Sequence, residues 1–92
     1  MVNAIVLLKV ERQQINSVAQ GLVEQEGVSE VYSVAGQYDL VAIIRTQDDE
    51  HLAELVTDHL LKLEGILSSE TLIAFRVLSK YDLERLFSVG MS

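Results

Sequence analysis

The chain has 92 residues, no cysteine and a formal net charge of −7, with seven Lys and Arg against fourteen Asp and Glu. That length allows one small domain, the missing thiols exclude disulfides and thiolate chemistry, and the acidic balance argues against a direct grip on a phosphate backbone. Hydrophobic residues make up 49% of the chain, more than a monomeric core of this size can hide, so another subunit is the expected place for the surplus.

Asn3 to Val10 reads as a first strand, being rich in β-branched residues without helical spacing. A helix follows, roughly Arg12 to Glu26, whose Ile15, Val18, Ala19, Leu22 and Val23 recur at three- and four-residue steps as one apolar stripe. Gly27 ends it as a left-handed cap. Val28 to Ala35 is a second strand and Leu40 to Thr46 a third, joined by a turn over Gly36–Asp39. Asp48-Asp49-Glu50 load the start of a second helix with negative charge, which suits the positive end of the helix dipole. Leu52, Leu55, Val56, Leu60 and Leu63 carry its stripe to Gly65. A fourth strand is expected over Leu67 to Leu78, and 79–92 form a short amphipathic tail of the single domain 1–92.

The order is therefore β-α-β-β-α-β. An internal echo supports it, because Leu22–Val28 and Leu60–Ile66 each hold a helix end, a glycine and a strand start. Two such halves make a ferredoxin-like α+β sandwich, a four-stranded antiparallel sheet with both helices on one face. The first strand is apolar on both sides: Ala4, Val6, Leu8 and Val10 on one, Ile5 and Leu7 on the other. In the third strand, Val41 and Ile43 oppose Leu40, Ala42 and Ile44. A sheet with one face in water would alternate with polar residues. This one does not, so the open face is expected to pack against a second copy.

Chemistry is sparse. Gly36 suits the positive φ of a tight connection. Asp39 stands at the mouth of a continuous apolar strand, where a carboxylate either caps backbone N–H groups or meets a small cation. His51 and His59 are eight residues apart, not the three or four of a helical metal pair, and His59 falls within the apolar stripe, so a packed or interface histidine is the simpler reading. Ser68-Ser69-Glu70-Thr71 brings three hydroxyls into the start of the fourth strand. No nucleophile with its base, phosphate loop or dinucleotide fingerprint occurs. No catalytic residue, metal or cofactor is expected. No run approaches about 18 apolar residues, and 1–10 lacks the basic start of a signal peptide, so a cytoplasmic chain is expected.

Gly36-Gln37-Tyr38-Asp39-Leu40 before an apolar strand resembles the G-x-Y-D turn of the effector-binding (RAM) domain of the Lrp/AsnC family of feast/famine regulators. Leu63-Glu64-Gly65-Ile66-Leu67-Ser68-Ser69-Glu70-Thr71-Leu72-Ile73 is similar to that family's second signature, a helix ending at Gly and a hydroxyl-rich run opening the last strand. The resemblance covers residues 1 to about 80. It implies dimers formed through the sheets, further assembly into octamers or similar rings, and a small amino acid bound between dimers. Val34, Gly36, Tyr38 and Asp39 are the pocket positions it implies, with Ser69 and Thr71 beside them. Asp39 would face an α-ammonium group and backbone N–H groups around Gly36 a carboxylate. The family's helix-turn-helix segment has no counterpart before the first strand. The resemblance is thus to a stand-alone module without direct DNA binding, working alone or mixed with full-length regulators.

Other readings share the topology. An ACT-type regulatory domain usually has a ligand-contacting glycine after its first strand, and Val10-Glu11-Arg12-Gln13 holds none. A small dimeric α+β-barrel enzyme would need a lined hollow between sheet and helices, for which only His59 offers itself. A pure assembly module would keep the oligomer and lack the ligand.

Overall fold

The computed structural model describes residues 1–78 and Lys80. The tail expected over 79–92 lies, apart from Lys80, outside the described residues. Among the described residues, four strands and two helices are resolved in the order β1 (Val2–Val10), α1 (Ile15–Val23), β2 (Val28–Ser33), β3 (Leu40–Thr46), α2 (Asp49–Glu54) and β4 (Ile66–Ile73). The strands form one sheet in the order β2-β3-β1-β4, with every neighbouring pair antiparallel. This is the ferredoxin-like βαββαβ sandwich that the element order predicts.

The alternation of β1 decides which face the helices cover. Ala4, Val6, Leu8 and Val10 are buried, as are their β3 counterparts Leu40, Ala42 and Ile44. They form one cluster with Val18 and Leu22 of α1 and with Leu52, Leu55 and Leu60 from the second helical region. Each fully buried leucine contributes about 1.5–3 kcal/mol through removal of its apolar surface from water. Ile5, Leu7, Val41 and Ile43 point the other way and are only half-buried. Tyr32 of β2 and Leu72 of β4 pair with Val41 and Ile5, and cross-strand partners share a face. Both are exposed, so the open face carries a continuous apolar band across all four strands.

Several boundaries differ from the sequence expectation, each for a local reason. Arg12–Gln14 form a tight three-residue turn, so the first helix proper begins at Ile15. It ends at Val23 rather than Glu26, because the chain tightens there: Gln25 N–H donates to the Leu22 carbonyl, three residues back. Val23 thereby leaves the stripe and is exposed. The second helix is regular only to Glu54. It continues as a wide π-type turn over Leu55–His59 and a tight turn over Leu60–Lys62. The extra residue shifts the helical phase: Leu55 and Leu60, five apart, are both buried, and His59 is swung out to solvent. His59 is thus not packed within the subunit.

The strands end where their partners do. β2 stops at Ser33, whose partner Leu40 opens β3. β4 stops at Ile73 rather than Leu78, because Ala74 N–H takes the Asn3 carbonyl and β1 has almost no residues left beyond it. Phe75 and Leu78 are left exposed.

Gly27 and Gly65 hold matching positive φ angles of 100° and 106°, so the internal echo is a conformational one. At Gly65 a Cβ would lie 2.8 Å from the Gln14 Cβ. Gly65→Ala therefore combines left-handed strain with a backbone-adjacent clash. It should lower the unfolding free energy by at least about 1–3 kcal/mol in urea titrations.

Candidate functional site

The turn between β2 and β3 is closed by Val34 N–H donating to the Asp39 carbonyl at 3.0 Å. Gly36 lies at φ 147°, with nothing within 4 Å of where a Cβ would project. Its need for glycine is one of backbone conformation alone. Val34 is exposed at the turn's start, and Tyr38 and Asp39 are half-buried at its end.

Asp39 joins the turn to β1 twice. Its N–H donates to the Leu8 carbonyl at 2.8 Å, and its Oδ2 accepts from Val10 N–H at 2.9 Å. The last backbone pair between these strands is Leu8↔Leu40. Beyond it, the carboxylate supplies the acceptor that the departing chain no longer offers. Of the two roles open to Asp39, the structure realises the backbone cap. Among the described residues, no second donor reaches this carboxylate.

Tyr38 reaches across the sheet end instead. Its hydroxyl donates to Glu70 Oε2 of β4 at 2.6 Å, and Lys9 Nζ of β1 stands 5.8 Å from the centre of its ring, within cation–π range. The hydrogen bond to the Glu70 carboxylate, with smaller contributions from burial and charge, raises the Tyr38 pKa above its ordinary value. Glu70 pairs with Leu7, on the open face. Ser69 and Thr71 pair with Leu8 and Val6, so they lie on the helix side of β4, where they are nonetheless exposed. One subunit thus gathers Val34, Gly36, Tyr38 and Asp39 at one turn and sets Ser69 and Thr71 behind the sheet. Glu70 and Lys9 are the residues that sequence reasoning left out. A known β1–β4 register would have found them.

A hollow of about 590 Å³ lies at the opposite end of the sheet, with Arg45, Gln47, His51, Glu54 and His59 among its lining residues. His51 and His59 share its wall, yet no cluster of three metal-ligating side chains exists among the described residues. Asp48 caps α2, accepting from His51 N–H at 2.8 Å and lying 2.7 Å from its Nδ1. These hydrogen bonds lower the Asp48 pKa, and the same carboxylate raises that of His51. The Asp48 contribution is present above the ordinary carboxylate range and lost as pH falls through the lowered value. The His51 contribution is present below the ordinary imidazole value and lost as pH rises through the raised one. Between these limits the pair stabilises the helix start; both groups are exposed, so salt should weaken it.

A four-stranded sheet with helices on one face, an apolar open face and a polar turn at its rim defines a small α+β domain with a candidate ligand site at its edge. A sequence profile described as the Lrp/AsnC ligand binding domain matches residues 3–83. The chain belongs to that family. It is 35% identical over 74 residues to the HTH-type transcriptional regulator FL11 of Pyrococcus furiosus, a match covering 80% of this chain and 48% of the relative. It thus spans about half the length of the curated regulators it matches. Among solved structures it resembles TTHA0845 from Thermus thermophilus, with 41% identity and a TM-score of 0.81, covering 87% of this chain and 100% of the other. The transcriptional regulator NMB0573 from Neisseria meningitidis, solved as a complex with L-Met, shares the fold at 14% identity and a TM-score of 0.77, covering 85% of this chain and 52% of that one.

Two outcomes follow from this geometry. Asp39→Ala leaves the N–H of buried Val10 without its acceptor and should cost about 1–3 kcal/mol of stability, whereas Asp39→Asn, which keeps an acceptor, should cost less; urea unfolding of both variants separates them. The difference in thermal midpoint between wild type and His51→Gln should be widest between the two pKa limits of the Asp48–His51 pair and shrink in high salt, as scanning calorimetry across pH would show.

Proposed function

We propose that this domain is an amino-acid effector-binding and assembly module of the Lrp/AsnC transcription-regulator type. The observation that carries the reading is the G-x-Y-D turn, set at the rim of an apolar sheet face within a domain of that family. The open face of Ile5, Leu7, Val41 and Ile43 pairs with that of a second copy, and dimers associate further into a ring such as an octamer. The ligand is a small α-amino acid held near Val34, Gly36, Tyr38 and Asp39. Its carboxylate meets backbone N–H groups around Gly36, and its ammonium meets a carboxylate beside the turn. Because Ser69 and Thr71 face the helix side of β4, they join such a pocket only from a neighbouring subunit, which supports a site between subunits. The L-Met complex of the Neisseria regulator supports the ligand class.

The module is not an enzyme and acts in the cytoplasm. Its regulatory output passes through assembly with itself or with DNA-binding regulators of the same family. Its acidic balance supports the absence of direct DNA contact.

Sedimentation at micromolar concentration should give at least twice the monomer mass; a stable monomer would refute the sheet-to-sheet pairing. Calorimetry with the twenty amino acids should find one or a few that bind and raise the thermal midpoint. Absence of binding by all twenty would leave assembly as the function.

A further inference from the structure

We infer that the outer edge of β4 is a second self-association surface, where two copies of this chain join their sheets strand to strand about a two-fold axis at Thr71. The inference names a contact for the further association of dimers proposed above. It does not compete with the open face, because the backbone groups of an edge point in the plane of the sheet.

β4 closes one side of the sheet and lies beside β1. In an antiparallel ladder, alternate residues spend both backbone groups on the neighbour, and the residues between turn theirs away. The bond from Ala74 N–H to the Asn3 carbonyl sets the phase. Leu72, Glu70 and Ser68 then bond to Ile5, Leu7 and Lys9. Ser69, Thr71 and Ile73 present their N–H and C=O groups to the free edge, where no strand receives them among the described residues. Such a row is a template for another strand. The opposite edge is poorly made for this, since β2 has six residues and an irregularity between Val28 and Glu30. β4 has eight residues, its irregularity falls at its start, and it holds neither lysine nor proline.

The occupant follows from self-complementarity. An antiparallel pairing centred on Thr71 sets this residue against the partner's Thr71, and Ser69 against the partner's Ile73. Every outward backbone group of Ser69, Thr71 and Ile73 is then matched on both strands. Glu70 stands opposite the partner's Leu72. A centre one residue earlier would oppose two Glu70 carboxylates, which is destabilising. One residue later, Ser69 would lie beyond the end of the partner's strand. A second observation supports the same register: it carries Phe75 toward the partner's Leu67, and the subunit leaves both side chains exposed. The hydroxyls of Ser69 and Thr71 stay uncovered on the helix side of the joined sheet. Edge and open face together give each subunit two self-complementary contacts, which a closed ring of dimers can use.

The chain has no cysteine, so Thr71→Cys introduces a single thiol. Across the axis the two Cα atoms would stand about 5.5 Å apart, within the roughly 4.4–6.8 Å that a disulfide spans. Mild oxidation should link Thr71→Cys into covalent dimers and leave Glu70→Cys, off the axis and on the other face, unlinked. Linking of Glu70→Cys instead, or of both alike, would overturn the inference.

Sedimentation supplies a second readout, with circular dichroism to check the fold. Thr71→Pro removes an N–H that β1 does not use, and Thr71→Lys puts a charge on the edge. Each should leave dimers held by the open face, whereas Val41→Lys should leave dimers held by the edge. Wild-type mass in both Thr71 variants would refute the edge contact. Folded monomers from the Thr71 variants would uphold the edge and sink the open-face pairing alone, and a monomeric wild type would sink both.

Discussion

The pairing of β1 with β3 is the constraint on which everything else in this domain depends. These two strands occupy the middle of the sheet, and their helix-side residues, from Ala4 to Val10 and from Leu40 to Ile44, are all buried. Two helices on one side cannot also cover the other. The chain nevertheless places Ile5, Leu7, Val41 and Ile43 there. On a soluble monomer such a band costs solubility and contributes nothing to the core. The second copy proposed above would resolve both problems, because a two-fold axis would bring the same apolar band against itself. The sandwich closes within one subunit, whereas its apolar content would be fully used only in the proposed pair.

The same pairing explains the turn. β3 begins at Leu40, two residues short of the position whose backbone acceptor would keep Val10 in the ladder. Asp39 fills that place with its side chain. This lets β1 run on to Val10, where the bulge opposite Ile66–Ser68 redirects the end of the strand. The G-x-Y-D run therefore divides its labour. Gly36 admits the backbone conformation, Asp39 ties the turn to β1, and Tyr38 is left free to reach over Lys9 to β4.

Much of this was legible in the chain. Period-two burial in β1 and β3 is a local property of alternating side chains, and the helix-end glycines announce themselves by position, an expectation their matched φ angles meet. The Asp48 cap could be read from three successive acids before an apolar stripe. Features that depend on distant partners could not. The length of β4 is set by where β1 begins, which no property of residues 74–78 reveals. The π-type turn at Leu55–His59 arises because Leu55 and Leu60 both fit the core, a five-residue spacing that a stripe drawn at three and four steps reads as slack. Tyr38 and Glu70 are 32 residues apart, and only the register of two separate strand pairings brings them together.

β4 is the element on which the subunit is least self-sufficient. The helices leave its inner side uncovered, so Ser69, Thr71 and Ile73 face outward on one side while Glu70 and Leu72 face outward on the other. An edge strand exposed on both faces is a liability for an isolated chain, and in this sequence it is hydroxylated rather than blocked with lysines or proline. That composition suits an edge that will be covered by polar contacts. A neighbouring subunit approaching this edge would meet the Glu70–Tyr38 pair on the open face and the Ser69 and Thr71 hydroxyls on the other. In the assembly proposed above, the polar groups that a single subunit keeps on opposite sides of its sheet would become available to one shared pocket, and a ligand lodged there would gain its affinity from the assembly as much as from the turn.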